Sequence, residues 1–166
     1  MSVWAILVAA GRGERLGLDR PKAFAKLGEE PLLAEPLRRL DASPWVDGIV
    51  LVAPPGWEEP AILLAEEEGC DKVHACVTGG ETRSDSVRAG LAEVVRNLAL
   101  RDREKGLSTG EKQMFVKAKK ILASELMYAK DMDEETCADW LEEVLASDSP
   151  PKKKPAAKKK VAAAAA

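Results

Sequence analysis

The sequence predicts an α/β protein in which a three-stranded parallel sheet is followed by an all-α helical domain and a disordered Lys/Ala/Pro tail. Apolar runs alternate with helical patterns in the first half of the chain, in the order β-α-β-α-β-α that is typical of a parallel sheet. After Leu91 only helical periodicity remains. Residues 150–166 carry six lysines and no acidic residue, a composition that buries little apolar surface.

The three predicted strands are short apolar runs. They are Val3–Ala9, Gly48–Ala53 and Lys72–Val77. The first is the most apolar, and we therefore expect it to be the central strand. It is too short to span a membrane and lacks the basic start of a signal peptide, so we expect a protein without membrane association.

Helical patterns connect and follow these strands. They cover Leu32–Asp41, Trp57–Glu68 before Gly69, a segment from about Thr82 to Gly106, a segment opened by Ser108 and Glu111 as a capping box, and a last segment capped by Asp131 or Asp133. The stripes of the last three helices, methionine and aromatic residues included, are more typical of a core than of a binding site. Their members are Val87, Leu91, Val94, Val95 and Leu98; Met114, Phe115, Ala118, Ile121, Leu122, Leu126 and Met127; and Cys137, Trp140, Leu141, Val144 and Leu145.

Charge divides the chain into the same three regions. Residues 1–93 have a net charge of −6, residues 94–149 of −3 and residues 150–166 of +6. We expect these to be a partial α/β domain, a helical domain and a basic tail. The tail binds nucleic acid without sequence choice, or serves only to keep the chain soluble. The cysteines, which are Cys70, Cys76 and Cys137, have no metal-site spacing and indicate a reduced, cytoplasmic protein.

The loop after the first strand has the composition of a phosphate-binding loop. It reads AAGRGERLGLDRPKAF from Ala9 to Phe24. Gly11 and Gly13 let the backbone approach a ligand and direct N–H groups towards it, while Arg15 and Lys22 add positive charge. The alternative is an ordinary glycine-rich turn with solvated charges. The lysine does not have the spacing of a P-loop.

This loop, AAGRGERLG followed by PK, resembles the signature of nucleotidyltransferases, and GGETRSDSVRAGL (residues 79–91) narrows the resemblance. Together they are similar to the 2-C-methyl-D-erythritol 4-phosphate cytidylyltransferase (IspD) family of isoprenoid biosynthesis, over residues 2–92. The resemblance implies a partial Rossmann-like sheet and transfer of a cytidylyl group from CTP to a sugar phosphate, with release of pyrophosphate. Catalysis would rest on positioning and electrostatics.

The resemblance also implies roles for individual residues. It implies that the backbone of Ala9, Ala10, Gly11 and Gly13 contacts CTP and that Arg15 and Lys22 contact the triphosphate and act in catalysis. It implies that Gly80, Glu81 and Ser86 lie against the cytosine and ribose, with Arg83 supporting this nucleotide-binding loop. From the residues alone, Ser86 serves equally well as a capping or first-turn serine. Arg83 serves equally well as half of a salt bridge.

The second half of the chain departs from this family. The family's His-Asp-Ala-Ala-Arg-type segment, whose aspartate helps to hold Mg²⁺, has no counterpart here, and neither do the acceptor-binding segments. The resemblance thus implies Mg²⁺ as a cofactor, but the aspartate that would hold it is not present in this sequence. We therefore expect an incomplete active site, or a protein that only binds CTP. An open sheet edge beside the first strand predicts self-association.

Residues 92–147 resemble a different family, the carboxyl-terminal helical domain of CarD-type transcription regulators. The segment AEVVRNLALRDREKGLSTGEKQMFVKAKKILASELMYAKD, Ala92 to Asp131, carries the resemblance along its length. It implies an association with RNA polymerase and promoter DNA, which is the alternative function. The family's DNA-wedging tryptophan is not matched, so only the helical scaffold is implied. The two resemblances meet near Leu91–Val95, and the chain has the pattern of a fusion.

Overall fold

A computed structural model describes residues 3–14, 17 and 19–147. The strands are β1 (Trp4–Val8), β2 (Lys26–Leu27), β3 (Glu30–Pro31), β4 (Gly48–Ala53) and β5 (Val73–Thr78). The helices are α1 (Ala34–Ala42), α2 (Glu58–Glu67), α3 (Arg83–Lys105), α4 (Thr109–Lys130) and α5 (Glu134–Ser147). The α/β class and the all-helical second half are therefore as predicted. The basic tail, residues 150–166, lies outside the described residues.

The main sheet has three parallel strands in the order β1-β4-β5. The prediction that the first strand is central is wrong, because β4 occupies the centre. All six residues of β4 are buried, whereas every residue of β1 is half-buried. The apolar sequence of β1 reflects helices packed on both faces of the sheet, and this burial does not require a strand on each side.

Helices cover both faces of this sheet. On one face, α1 and α2 pack against alternate strand residues, with Leu37, Ile49 and Leu51 completely buried. On the other face, Val50 contacts Val94 and Leu98 of α3, and Met114 of α4 packs against the same cluster. On this second face, side chains from the sheet and from the helical half thus share one apolar cluster.

The helix α3 runs without a break through residues 83–105, so the predicted boundary at 93/94 lies inside a helix. The division into domains stays a prediction. A third apolar cluster joins Val95 of α3 to Leu122 of α4 and Leu141 of α5. Three stripe residues predicted to be core are exposed instead, Val87 at 41%, Ile121 at 54% and Val144 at 38%, because each lies at the border of its buried stripe.

The helix ends follow the local signals. Thr82 and Ser108 each form a capping box, with Asp85 and Glu111 respectively. Asp133 caps α5 by accepting a hydrogen bond from the Thr136 N–H at 2.9 Å. Asp131 instead ends α4 with a left-handed backbone, φ 53°.

One small element was not predicted. A 3₁₀ turn at Lys22–Phe24 leads into the two-stranded β2–β3 hairpin, in a stretch where the sequence indicates only a loop. Strands of two residues have no periodicity from which to predict them. No helix in the described part of the chain is long and apolar enough to cross a membrane.

Candidate functional site

The two motifs that carry the first resemblance meet at the carboxyl end of the sheet. The loop after β1 begins at Ala9, whose N–H donates to the Val52 carbonyl at 2.8 Å, and the Gly79 N–H donates to the Ala53 carbonyl at 2.7 Å. A Cβ on Gly79 would lie 2.3 Å from the Ala10 Cβ. Glycine is therefore required for this close contact, and it places the second motif directly against the first. Such edges are where open parallel sheets bind ligands.

Gly79 is a candidate site residue that was not predicted from the sequence. It belongs to the GGETRSDSVRAGL segment, in which roles were predicted for Gly80, Glu81, Arg83 and Ser86 but not for Gly79. The pair of adjacent glycines was the available signal. Gly80 has its own packing requirement, since a Cβ there would lie 2.3 Å from the Cβ of Asp85 in the first turn of α3.

The two glycines of the β1 loop differ in what the fold demands of them. Gly13 has φ 70°, and a Cβ there would lie 2.8 Å from the Lys22 Cβ. Gly13 is therefore needed to close the loop onto Lys22. Gly11 has no such constraint, because a Cβ there would meet no atom of the described residues within 4 Å. The packing of the described residues thus gives no reason for glycine at position 11.

The backbone of Lys22 is held firmly while its side chain stays exposed. Pro21, with φ −61°, precedes the 3₁₀ turn, and its carbonyl accepts from the Phe24 N–H at 3.0 Å. Phe24 is buried and contacts the Trp57 ring at a centroid distance of 4.6 Å. No described residue pairs with the Lys22 ammonium. The other predicted catalytic residue, Arg15, lies outside the described residues.

The predicted residues of the second motif are placed in two different ways. The Ser86 side chain is 2% exposed, and its hydroxyl donates to the Thr82 carbonyl at 3.0 Å. This contact favours the alternative role of a first-turn serine. Arg83 and Glu81 are exposed, and no ion pair of Arg83 is found within the described ranges. A ribose or cytosine contact stays a prediction for all three.

The carboxylates beside the strand ends do not assemble into a metal site. Thr78 donates to Glu58, and Thr82 donates to Asp85 at 2.6 Å; each of these hydroxyls lowers the pKa of the carboxyl that it contacts. In the part of the chain that the structure describes, no group of three or more His, Cys, Asp and Glu side chains could hold a metal ion. These residues therefore do not fit a protein-held Mg²⁺, which prefers carboxylate oxygens.

Comparison with known families agrees with both resemblances. A family model described as 2-C-methyl-D-erythritol 4-phosphate cytidylyltransferase matches residues 3–100, more than half of the chain. A model described as the CarD carboxyl-terminal domain matches residues 85–142. The resemblances predicted from the sequence are confirmed, and the two matches overlap within α3.

Individual relatives match the first half. The 2-C-methyl-D-erythritol 4-phosphate cytidylyltransferase of Nocardia farcinica is 44% identical over 91 residues, which are 55% of this chain and 38% of the relative. The Streptomyces coelicolor protein of the same name is 48% identical over 91 residues, 52% of this chain and 33% of the relative. The bifunctional enzyme IspD/IspF of Brucella anthropi is 43% identical over 100 residues, which are 59% of this chain and 23% of the relative. The chain thus spans well under half the length of these relatives.

Proposed function

The chain belongs to the 2-C-methyl-D-erythritol 4-phosphate cytidylyltransferase family, and from this premise we propose that it binds CTP at the carboxyl ends of β1, β4 and β5. The observation that carries the proposal is the contact of Gly79 with Ala10, which joins both family motifs at that edge. Backbone N–H groups near Gly11 and the ammonium of Lys22, which pairs with no described residue, would hold the triphosphate. Arg15 is proposed to act with Lys22, by resemblance.

The reaction of the family would proceed by in-line displacement. A phosphate oxygen of methylerythritol phosphate attacks the α-phosphorus of CTP, the bond from that phosphorus to the bridging oxygen breaks, and pyrophosphate leaves. The role of Lys22 would be to offset negative charge on the triphosphate as this bond breaks. When bound in the complete enzyme, Mg²⁺ would supply neutralisation of the negative charge of the triphosphate. For this chain, we propose CTP binding without efficient turnover.

Replacing Lys22 with alanine tests the CTP site. Titration calorimetry should show weak CTP binding by the original chain, with and without Mg²⁺. The binding free energy should be less favourable by roughly 1–3 kcal/mol for Lys22→Ala, which is the scale of hydrogen bonds to charged groups. Lys26→Ala is the matched control, because Lys26 is an exposed lysine of the adjoining β2 strand. Equal affinities for the original chain and Lys22→Ala would refute the assignment.

Gly11→Ala provides a second arm of the same titration. Because a Cβ at this position meets no protein atom, the substitution should leave the thermal midpoint unchanged or slightly raised. It should nevertheless weaken CTP binding if the nucleotide approaches the Gly11 backbone. A variant that is equally stable and binds CTP as the original chain does would exclude close contact at Gly11.

A second candidate function follows from the helical half. The match of residues 85–142 to the CarD carboxyl-terminal domain supports an association with RNA polymerase, and the six lysines of the tail support nucleic-acid binding.

The proposed location is the cytoplasm, in keeping with three free thiols. Burial raises the pKa of Cys76 to about 11, so this thiol stays protonated at neutral pH.

Deleting residues 150–166 tests the nucleic-acid part of this second candidate. If the tail lysines bind DNA, affinity should fall steeply with salt through counterion release and should not depend on sequence. The truncated chain should lose this binding. DNA binding that persists after the deletion would assign the interaction to α3–α5 instead.

A further inference from the structure

The outer edge of β1 presents a row of unpaired backbone groups. Ala9 donates to Val52, and Val3 accepts from the Asp47 N–H at 2.8 Å, so the odd-numbered residues of this segment face β4. Since successive residues of a strand alternate in direction, the N–H and C=O groups of Trp4, Ile6 and Val8 point away from β4. No strand among the described residues pairs with this edge.

An apolar groove lies beside the same edge. It has a volume of about 270 Å³ and is formed by Trp4 and Ile6 of β1, Leu91 and Val94 of α3, and Met114 and Ile121 of α4. The Trp4 indole does not fill it, because the ring leans over Gly48 and stacks on His74 at a centroid distance of 4.9 Å. A Cβ on Gly48 would lie 2.9 Å from the Trp4 ring, so this glycine permits the inward tilt.

We propose that β1 pairs in antiparallel fashion with β1 of a second copy of this chain, about a twofold axis at Ile6. In this register Ile6 lies opposite the partner's Ile6, and Trp4 lies opposite the partner's Val8. The outward groups of these residues would form about six hydrogen bonds, two for each opposed pair. The two sheets would then become one continuous sheet in the order β5-β4-β1-β1-β4-β5.

One partner strand could both pair with the free edge of β1 and place apolar side chains in the groove. Directly opposed residues of neighbouring strands place their side chains on the same face of a sheet. The partner's Ile6 and the partner's Val8 would therefore lie on the Trp4–Ile6 face, where the groove is open. The occupant needs an apolar strand whose own edge is unpaired, and β1, with the sequence WAILV, is such a strand and carries no charge or proline to prevent pairing.

The twofold pairing of β1 with β1 also ends at a dimer, because it leaves no β1 edge free for a third copy. The outer edge of β5 is unpaired among the described residues too, but a contact of β1 with β5 of the next copy would be head-to-tail and would continue into open assemblies. β5 contains His74 and Thr78 and is the less apolar of the two edges. Pairing of β1 with itself buries the more apolar edge and ends at a dimer.

Hydrogen exchange combined with sedimentation on the full chain tests this pairing without any substitution. At about 100 μM the chain should sediment as a dimer that dissociates on dilution, as expected of a small interface. The amides of Trp4, Ile6 and Val8 should gain protection as concentration rises. The inward amides of Ala5 and Leu7 should keep the same protection at every concentration.

The substitution Val8→Pro tests the pairing independently, since it removes an outward N–H and leaves the hydrogen bonds to β4 in place. The Val8→Pro variant should be monomeric. The Val8→Thr variant, which retains the amide, should dimerise as the original chain does. A chain that is monomeric at 100 μM, a dimer with unprotected outward amides, or open-ended assemblies would each overturn the proposal. If Val8→Pro fails to fold, as circular dichroism would show, the exchange data on the original chain decide.

Discussion

Leu98→Ala is expected to lower the free energy of unfolding of the whole chain by about 2–5 kcal/mol, the range for a buried leucine truncated to alanine. Leu98 is fully buried in α3, where it packs with Val50 of the central strand and Val94. The removed atoms leave a cavity at the junction between the sheet and the helical half. Because one cluster contains side chains from both halves, both should lose stability together.

Chemical denaturation followed by tryptophan fluorescence and by far-ultraviolet circular dichroism measures this effect. The two signals should give the same midpoint before and after the substitution. Leu63→Ala is the matched control, since Leu63 lies on α2 with 50% of its surface exposed and should change stability by no more than about 0.5 kcal/mol. If Leu98→Ala shifts only one of the two signals, residues 1–93 and 94–149 unfold separately, as the division predicted from the sequence implies.

The second large effect concerns turnover. The 166-residue chain, incubated with CTP, methylerythritol phosphate and Mg²⁺, is expected to release no pyrophosphate above the level of a sample without protein. Catalysis of phosphoryl transfer depends on groups that position the metal and the attacking oxygen. Among the described residues, no group of three or more His, Cys, Asp and Glu side chains could hold a metal ion. Glu58 and Asp85 are already bonded to threonine hydroxyls.

A coupled pyrophosphate assay makes this measurement, with the Nocardia farcinica relative as the positive control. CTP binding in the same preparation would establish that an inactive sample is folded. Pyrophosphate release that scales with protein concentration and disappears in Lys22→Ala would contradict the prediction. It would mean that other parts of the chain supply the groups that hold the metal and the acceptor.

The prediction of the site from sequence was partial for a physical reason. The glycine and lysine positions of the β1 loop are visible as a pattern, because phosphate binding requires small residues and positive charge close together in the chain. The roles of Gly11 and Gly13 could not be separated in the same way. Only the position of Lys22 against Gly13, and the empty space at Gly11, distinguish a packing requirement from a ligand-binding one.

Local interactions account for what was predictable about the fold. The limits of β4, Gly48–Ala53, and the helix starts at Thr82 and Ser108 agree with the sequence patterns, since the apolar run and the capping residues that mark them are local in the chain. The strand order β1-β4-β5, the contact of Gly79 with Ala10 and the open β1 edge depend on segments about 25 to 70 residues apart. The apolar content of a strand indicates that helices cover both faces of its sheet. It does not indicate which strands lie beside it or how deeply it is buried, since β1 is the most apolar of the three strands but only half-buried, whereas β4 is fully buried. That arrangement exists only once the helices and strands have packed together.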